Sequence, residues 1–395
     1  MKHLIIIGGG FSGFWSAMSA VRQSREMGKT ADLKITVINK DNYLTSRPRL
    51  YEAHLDTVRT NIQPLLEPLG VSLLTGLVTD IQPAQHSLTL EQDGQQKTLT
   101  YDYLIVAAGS RLKRPDIPGA ESIHHIDDFQ GATRLHTHIA QLAAGGFKEN
   151  GADTVVVVGG GLTGLEIVTG VQDIVNKYAD RQIKVVLIDR QGNVGGAYSP
   201  EARTYINEVL LHQNIELRLG TLPVKVDKNI VYLANGEQIP AGTVVWTAGL
   251  EASPLHAFFN GDKDNMNRLA VDEYFKLPGY NNIMVTGDAA LSKPDGVNHA
   301  LMSCQYSLFQ GKWSGHNAVA DLFGGEKLPY VQSSYVTCVD LGPEKALFTR
   351  GFERKMEANE AAGKQIKMEI NTVWIVPSPD PEANVAAAIP ADPAF

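Results

Sequence analysis

A glycine-rich turn between a short apolar strand and a helix occurs twice along this chain of 395 residues. In the first copy, the branched run Leu4–Ile7 predicts a buried strand. The turn Gly8–Gly13 follows, then a helix to about Met27, and then a second strand over Lys34–Ile38. Gly28 is expected to end that helix, because glycine is common just after a helix C-terminus.

The same order of elements returns later in the chain. A strand is predicted over Thr154–Val158, the turn is Gly159–Gly164, a helix extends to about Tyr178, and a second strand covers Lys184–Ile188. Both copies therefore have the strand–turn–helix–strand order of a dinucleotide-binding unit. The alternative is an ordinary α/β protein with two unrelated glycine turns, and the repetition argues against it.

The spacing of the glycines predicts how each turn binds a dinucleotide. A first glycine permits the tight turn, a second lets the backbone approach a pyrophosphate, and a third lets helix and strand pack closely. The free N–H groups at the helix N-terminus then face the phosphates. The glycines predicted to bind cofactors in these turns are Gly8, Gly10, Gly13, Gly159, Gly161 and Gly164.

The residues that end the second strands differ between the copies. Asp189 can accept hydrogen bonds from a ribose 2′-hydroxyl and would repel the 2′-phosphate of NADPH, so the second turn is expected to prefer NADH. Arg190 beside it would weaken that repulsion, so NADPH stays open as the alternative donor. The first copy has Asn39, whose neutral hydrogen bond contributes about 0.5–1.5 kcal/mol, against about 1.5–3 kcal/mol with a charged group. The alternative for Asn39 is a plain turn residue.

Composition and charge exclude several classes of function. The formal net charge of −8 argues against a nucleic-acid partner, because such proteins have a basic surface. No apolar run is long enough for a membrane helix, and Leu4–Ile7 is too short for a signal-peptide core. The two cysteines, Cys304 and Cys338, exclude a disulfide framework, and no residue cluster predicts a metal site. We expect a cytoplasmic protein, with peripheral contact at the cytoplasmic face of a membrane left open.

Further motifs resemble those of a known superfamily. Tyr101–Gly109 (YDYLIVAAG) and Val244–Gly249 (VVWTAG) look like the strand-plus-Ala-Gly crossings of pyridine-nucleotide flavoproteins, and Asn282–Asp288 (NIMVTGD) resembles their second FAD motif. Within that superfamily the chain is most similar to the type II NADH:quinone oxidoreductases. Their flavin-side loop, NADH turn and quinone-site helix are resembled by Asp41–Glu52 (DNYLTSRPRLYE), Gly159–Glu166 (GGGLTGLE) and Cys304–Gly311 (CQYSLFQG).

This resemblance implies an enzyme that holds FAD in one nucleotide-binding domain and NADH, or NADPH, in the other, and passes a hydride between them. A CxxxxC redox pair is absent from the sequence, so electrons would leave the flavin directly. By resemblance, Asp288 bonds a ribityl hydroxyl of FAD. The other residues assigned to cofactor binding in this way are Asn39, Lys40, Pro48, Gly109 and Gly249.

Two residues are candidates for the chemistry itself. The resemblance places Glu166 on the nicotinamide side of the flavin, where it would orient the carboxamide or relay a proton to the acceptor. The alternative is an ordinary glutamate on a helix face, because an acid in the first turn is favourable anyway. Gln305 would hydrogen-bond a carbonyl of the acceptor, and its alternative is a capping or core glutamine.

The sequence also departs from the family. The quinone-site helix usually has two glutamines, and Phe309 stands in place of the second, which predicts a narrower and more apolar acceptor pocket. The tail Pro377–Phe395 is rich in proline and alanine and is expected to be unstructured, where the family commonly has a membrane-binding helical segment. From the resemblance together with these departures, we expect the electron acceptor to be a quinone-like or other small molecule. The alternatives are a protein such as a ferredoxin or an oxygenase, or one metabolite of a biosynthetic reaction.

The motif order predicts an α/β fold with two Rossmann-like dinucleotide-binding domains, one inserted in the other. The FAD-binding domain is predicted over 1–112 and 252–325, and the NAD(P)H-binding domain over 113–251. A small α+β region with a disordered tail is expected over 326–395.

The C-terminal region is expected to begin with a hairpin of Tyr335–Asp340 and Ala346–Arg350. The apolar residues in Glu353–Ile370 are too sparse for a membrane anchor. A homodimer interface and a domain-packing face are both compatible with that segment.

Overall fold

The computed structural model describes residues 1–393, in which helices and strands alternate along the chain. The helices of this range are α1 (Phe11–Glu26), α2 (Gln63–Leu66), α3 (Phe129–Ala144), α4 (Leu162–Asn176), α5 (Pro200–His212), α6 (Cys304–Phe323), α7 (Glu360–Glu369) and α8 (Pro381–Ala387). A π-helical turn, Ile370–Trp374, follows α7.

The strands are short, as expected for an α/β protein. In chain order they are β1 (Lys2–Ile7), β2 (Leu33–Asn39), β3 (Tyr43–Thr45), β4 (Arg59–Asn61), β5 (Val71–Thr75), β6 (Leu77–Gln82), β7 (Ser87–Gln92), β8 (Gln95–Thr100), β9 (Tyr103–Val106), β10 (Ser110–Leu112), β11 (Thr154–Val158), β12 (Lys184–Asp189), β13 (Glu216–Leu219), β14 (Pro223–Asp227), β15 (Ile230–Leu233), β16 (Gln238–Pro240), β17 (Thr243–Trp246), β18 (Leu250–Ala252), β19 (Leu269–Ala270), β20 (Ile283–Val285), β21 (Ala290–Leu291), β22 (Val336–Asp340), β23 (Ala346–Arg350) and β24 (Lys355–Ala358).

Two parallel sheets share the order of four strands, β9–β1–β2–β5 in the first and β17–β11–β12–β13 in the second. The first has the order β20–β9–β1–β2–β5, and the second has the order β13–β12–β11–β17. In both, the strand before the glycine turn lies centrally and pairs with the strand that follows the helix. Each unit also has a three-stranded antiparallel meander, β6–β7–β8 in the first and β14–β15–β16 in the second. The α/β fold class predicted from the repeated motif is confirmed.

The first sheet is assembled from distant parts of the chain. Strand β20 pairs in parallel with β9, with Ile283 opposite Leu104. Where the chain leaves this unit and returns to it, β10 and β18 pair antiparallel, with Arg111 opposite Glu251. The domain boundaries predicted near residues 112 and 252 fall on these two strands. The insertion of the second sheet between parts of the first follows directly from this pairing.

Helices α1 and α6 pack against each other without intervening side chains. A Cβ added at Gly311 would lie 2.4 Å from the carbonyl oxygen of Ser12, and one added at Gly315 would lie 2.1 Å from that of Ser16. Both glycines are therefore required by close backbone approach. The contact places the start of α6 near the glycine turn that precedes α1.

The C-terminal region begins with the expected hairpin. Strands β22, β23 and β24 form an antiparallel sheet, with Cys338 opposite Phe348. Gly342 in the connecting turn has φ +109°, a value that favours glycine. Helix α7 packs against this hairpin, and its Lys367 side chain is buried there.

The prediction that the tail after residue 377 is unstructured was wrong for its middle part. Residues 381–387 form α8, whose first turn is capped by Asp380. Val385 and Ala388 are buried in the hydrophobic core around the first parallel sheet. Glu382 pairs with Arg25 of α1 at 2.6 Å. Alanine favours helix, and two apolar side chains suffice to hold so short a segment. The last two residues of the predicted tail lie outside the described range.

None of the helices within residues 1–393 has the length and apolar character needed to cross a membrane.

Candidate active site

The first glycine turn leaves space beside its second glycine. Gly8 has φ +110°, and a Cβ there would lie 2.2 Å from the carbonyl oxygen of Ala107. A Cβ at Gly13 would lie 1.8 Å from the carbonyl oxygen of Gly8. Gly10, by contrast, has nothing within 4 Å of an added Cβ. Gly8 and Gly13 are thus required by the protein's own packing. Gly10, the second glycine of the motif, faces open space where a pyrophosphate can approach.

The second glycine turn has the same geometry. Gly159 has φ +111°, a Cβ at Gly164 would lie 1.7 Å from the carbonyl oxygen of Gly159, and Gly161 faces open space. Neither α1 nor α4 has a side-chain cap, whereas α3, α5 and α6 do. The N–H groups in the first turns of α1 and α4 are therefore available for an anion.

The residues that end the second strands support the turns as well as face them. Asn39 accepts a hydrogen bond from the N–H of Gly9 at 3.0 Å and donates through Nδ2 to the carbonyl oxygens of Asp41 and Tyr43 at 2.8 and 3.1 Å. Asp189 accepts from the N–H of Gly160 at 2.5 Å. Each side chain thus fixes the middle of its glycine turn, a contact that sequence reasoning did not foresee. Lys40 is exposed beside Asn39.

Two further glycines lie where the chain crosses between the units. Gly109 and Gly249 follow the strands β9 and β17, with φ +68° and +85°. Ser253 N–H donates to the carbonyl oxygen of Gly109 at 2.9 Å, and Lys113 N–H donates to that of Gly249 at 2.7 Å. The glycines assigned by resemblance therefore lie at the two ends of the β10–β18 pair, on either side of the junction between the sheets.

Asp288 lies where several chain segments converge. Its carboxylate accepts hydrogen bonds from the hydroxyls of Ser110 at 2.7 Å and Ser307 at 3.0 Å. Gln310 fixes the preceding residue, because its Oε1 accepts from the N–H of Gly287 at 2.8 Å. Ser307 and Gln310 belong to the quoted motif Cys304–Gly311, but nothing in the sequence indicated that they, or Ser110, contact Asp288 or its neighbour from another part of the chain.

The loop that contains Pro48 is attached to this junction through Arg47. The Arg47 guanidinium pairs with Asp127, and its Nη1 donates to the Ser110 hydroxyl at 3.0 Å. The same Nη1 lies 3.7 Å from the Asp288 carboxylate. Pro48 follows within a 3₁₀ turn, Arg47–Arg49. Arg47 therefore connects the loop Asp41–Glu52, the crossing strand β10 and the segment before α3.

Glu166 is buried rather than exposed on a helix face. Glu166 is 5% exposed. Its Oε1 accepts from Lys367 Nζ at 2.6 Å and from the N–H of Asp340 at 3.3 Å. Burial raises the pKa of Glu166 above that of an ordinary glutamate, and the Lys367 ammonium opposes this rise. The ordinary helix-face interpretation is therefore wrong for the position of this side chain. Lys367 was missed, because it is far away in sequence.

Gln305 and Phe309 lie near the start of α6, which Ser303 caps. Gln305 Oε1 accepts from the N–H of Val336 at 3.4 Å, so this side chain contacts the C-terminal hairpin and caps no helix. Phe309 is partly buried against the first core, with Lys312 Nζ 5.0 Å from its ring centroid. The narrower and more apolar acceptor pocket predicted from Phe309 stays a prediction.

Cys304, the first residue of α6, connects the two groups of candidate residues. Burial raises the pKa of its thiol to about 11, and the charges of Lys367, Asp288 and Glu166 all act on it. The Asp288 carboxylate and the Glu166–Lys367 pair therefore both lie near enough to the start of α6 for their charges to act on this thiol. A thiol that stays protonated is a poor nucleophile.

Comparisons with known proteins agree with this geometry. The model of the pyridine nucleotide-disulphide oxidoreductase family matches residues 2–311. An NADH dehydrogenase-like protein of Mycobacterium tuberculosis is 35% identical over 383 residues, which are 95% of each chain. A type II NADH:quinone oxidoreductase of Staphylococcus epidermidis is 28% identical over 348 residues, 82% of this chain and 83% of that one.

A solved structure shares the fold. NDH2 from Plasmodium falciparum, solved in complex with NADH, superposes with a TM-score of 0.78 over 98% of this chain and 97% of that chain, at 16% identity. The likeness extends beyond the two parallel sheets to the C-terminal region. The chain belongs to the pyridine nucleotide-disulphide oxidoreductase family, as an NADH dehydrogenase-like, pyridine nucleotide-dependent oxidoreductase.

Proposed function

We propose that this protein is an FAD-dependent oxidoreductase that takes a hydride from NADH and reduces a quinone-like or other small acceptor. When bound, FAD supplies the redox chemistry, because a flavin accepts a hydride from nicotinamide and passes the electrons to a second substrate. The observation that carries the proposal is the pair of glycine turns, each with open space beside its second glycine and an uncapped helix behind it.

The first unit is the proposed FAD site. Gly10 and the first turn of α1 would bind the pyrophosphate, and Asn39 and Lys40 would lie at the adenosine end. Asp288 would accept from a ribityl hydroxyl, since its carboxylate has capacity beyond the two serine hydroxyls that already donate to it. The donors and acceptors present fit the group, and the open face at Gly10 leaves room for it.

The second unit is the proposed NADH site. Gly161 and the first turn of α4 would bind its pyrophosphate, as in the first unit. Asp189 uses one carboxylate oxygen for Gly160 and the other for the N–H of Gln191 at 2.7 Å, and each oxygen can accept a second bond from the ribose. Its negative charge disfavours the extra phosphate of NADPH, which supports NADH as the donor.

The buried pair of Glu166 and Lys367 supports a role in proton transfer. A glutamate whose pKa is raised by burial holds its proton closer to neutral pH, where a general acid is most useful. Gln305 would donate to a carbonyl of the acceptor from the start of α6. The name of the Staphylococcus epidermidis relative, a type II NADH:quinone oxidoreductase, supports a quinone as that acceptor. Cytoplasmic location, peripheral membrane contact and a homodimer stay predictions.

Single-turnover kinetics test the proposal. Purified protein should be yellow with one FAD per chain, and anaerobic NADH should bleach the flavin absorbance. A panel of quinones, nitroaromatics and protein acceptors is then added to the NADH-treated enzyme, and the return of the absorbance identifies the acceptor class. A colourless protein that also takes up no added FAD would rule out the proposal.

Glu166→Gln tests the role of the buried carboxylate. The amide keeps the shape and still accepts from Lys367, so flavin content should be unchanged while turnover falls by about 100-fold, the lower range for a general acid or base. Glu201→Gln is the matched control, because Glu201 is an exposed glutamate in the first turn of α5. Equal turnover in wild type and Glu166→Gln at saturating substrates would limit Glu166 to a structural role.

A further inference from the structure

A second charged pair lies beside Glu166 and Lys367. Asp340, the last residue of β22, is 6% exposed. Lys364 Nζ donates to both of its carboxylate oxygens, at 2.9 and 2.7 Å, and to the carbonyl oxygen of Gly342 at 2.8 Å. The Asp340 N–H donates to Glu166 Oε1 at 3.3 Å. The two pairs therefore form one continuous cluster between α4, β22 and α7.

Tyr51 completes the inner side of this cluster. Its hydroxyl donates to Asp340 Oδ2 at 2.8 Å, and Lys367 Nζ lies 5.6 Å from the centroid of its ring. Burial, together with the neighbouring negative charges of Glu166 and Asp340, raises its pKa well above that of an ordinary tyrosine. Tyr51 thus keeps its proton at physiological pH and presents its hydroxyl to Asp340, next to the Lys367 ammonium that pairs with Glu166.

The outer side of the cluster opens to solvent. The Lys364 side chain is 21% exposed, whereas those of Lys367 and Glu166 are 4% and 7% exposed. Lys364 lines a surface groove of ≈ 610 Å³, together with Glu344, Glu360, Ala361, Gln365, Met368, Glu369 and Thr372. Water in this groove reaches the Lys364 ammonium, and the buried pair behind it has far less contact with solvent.

The proposed reaction requires a proton at that depth, and this inference rests on the proposed function. NADH, a proton and the acceptor A give NAD⁺ and AH₂, so the hydride supplies two electrons and one hydrogen nucleus, and water supplies the second. We propose that Lys364, Asp340 and Tyr51 carry this proton from the groove to Glu166. The proposal rests on the juxtaposition of a partly exposed Lys364, a buried Asp340 that it contacts, and a Tyr51 hydroxyl bonded to that Asp340, whose N–H in turn contacts Glu166.

Each step transfers one proton and no electrons. An N–H bond of the Lys364 ammonium breaks as an O–H bond forms on Asp340. The Tyr51 hydroxyl, which donates to Asp340 at rest, turns to give its proton to Glu166, and the Tyr51 oxygen takes the proton of Asp340 in exchange. Glu166 then hands its proton to the acceptor. Lys364 then regains a proton from water in the groove. The relay returns to its starting charges after each turnover.

The protonation of this cluster belongs to all its members, because their charges act on one another. The other titratable groups that face it are Glu166 and Asp173 on α4, Lys367 on α7, Cys338 on β22, Cys304 on α6, Glu52 and Tyr198 in neighbouring loops, and Glu344, Glu360 and Glu369 at the groove. A pH profile alone would therefore not identify the route, and the test uses separate half-reactions.

The test compares Lys364→Gln, Asp340→Asn and Tyr51→Phe with wild type in stopped flow. Hydride transfer from NADH to the flavin needs no proton from water, so its rate should be unchanged in all variants. Re-oxidation by a soluble quinone should slow by about 100-fold, in the range for loss of a positioned proton donor. A larger solvent isotope effect on re-oxidation should accompany this loss. Small amines should restore part of the rate to Lys364→Ala, because the groove admits them.

Lys345→Gln is the matched control. The Lys345 ammonium pairs with Glu360, a residue of the same groove, at 3.0 Å and makes no contact with Asp340 among the hydrogen bonds of the described residues. Both half-reactions should proceed in it as in wild type. If Asp340→Asn destabilises the fold, the double variant Asp340→Asn with Lys364→Gln removes both charges together, and it should show the same selective loss.

Three results would overturn the proton route. Equal slowing of both half-reactions would reduce the cluster to a structural role. Unchanged re-oxidation in Lys364→Gln and in the double variant would show that the proton arrives elsewhere. Wild-type flavin that NADH does not reduce would defeat the proposed function itself and the proton route with it, and it is distinguished from the other two because no variant is needed to see it.

Discussion

The two glycine turns have nearly the same backbone and different strand ends. Their first glycines have φ +110° and +111°. A Cβ added at the third glycine would lie 1.8 Å from the carbonyl oxygen of the first in one turn and 1.7 Å in the other. Asn39 ends β2 in one unit, and Asp189 ends β12 in the other. The third glycine is therefore required by the same backbone approach in both units, and the strand end is where the units can distinguish their ligands.

The two strand ends also differ in what they hold. Asn39 accepts from Gly9 and donates to two carbonyl oxygens of the loop after β2, so its amide nitrogen fixes the loop that leads to Pro48. The Asp189 carboxylate has no donor, and it accepts from two backbone N–H groups, those of Gly160 and Gln191. An amide thus joins turn and loop in the first unit, whereas a carboxylate presents charge in the second.

The largest expected effect separates the units by their second glycines. Gly10 and Gly161 both have extended backbone and open space beside them, so valine should fit each protein backbone without strain. Gly10→Val should yield folded, colourless protein, because the side chain occupies the proposed pyrophosphate position of FAD. Gly161→Val should stay yellow and lose reduction by NADH. Flavin per chain and bleaching by NADH are measured for both, and loss of flavin in both variants would contradict the assignment of separate ligands.

A smaller effect is expected at Asp189. Asp189→Ala removes the charge that disfavours a 2′-phosphate, so the preference for NADH should shrink or reverse, with Arg190 available to pair with the phosphate. A charge-assisted hydrogen bond contributes about 1.5–3 kcal/mol, which corresponds to a change of roughly 10- to 100-fold in the ratio of kcat/KM values. Asp189→Asn is the shape control. Faster flavin reduction of the wild type by dilute NADPH than by equal NADH would refute this account.

The smallest effect is expected at Asn39. Asn39→Asp keeps the acceptor for Gly9 but loses both donors, and it places a carboxylate against the carbonyl oxygens of Asp41 and Tyr43. The free energy of unfolding should fall by about 1–3 kcal/mol, because two hydrogen bonds that contribute about 0.5–1.5 kcal/mol each are lost. Denaturant titration measures it. Asn235→Asp is the control, because Asn235 accepts from Glu237 and an aspartate can do the same; equal losses in both variants would contradict the argument.

Local sequence patterns were sufficient to predict most of the strands and helices of the two glycine-turn units and the C-terminal hairpin. Strand β11 has the predicted bounds, α1 ends one residue before the expected Met27, and the C-terminal hairpin differs from its prediction by one residue. Each of these elements is specified by neighbours in sequence: branched apolar runs, glycines with positive φ, and a turn. Gly28, at φ +64°, follows α1 as expected of a helix stop.

Long-range contacts could not be read in the same way. Glu166 was singled out, but its partner Lys367 lies on a helix whose sequence is mixed in charge and has no motif. Pairing of two buried charges is decided by tertiary packing, which leaves no local periodicity. The tail helix was missed for a related reason, since its proline- and alanine-rich composition resembles disordered sequence until Val385 and Ala388 find a core to pack against.

The return of β20 to the first sheet reverses the usual order of assembly on the ribosome. Multidomain chains generally fold from the N-terminus during synthesis. Here the second sheet can close once Trp246 has emerged, whereas the first must wait for β20 and for α6 with its Gly311. Until then the small-residue face of α1 around Ser12 and Ser16 has no partner helix. The nascent chain therefore matures from its middle outward, and β9, although made early, is among the last strands to gain its second neighbour.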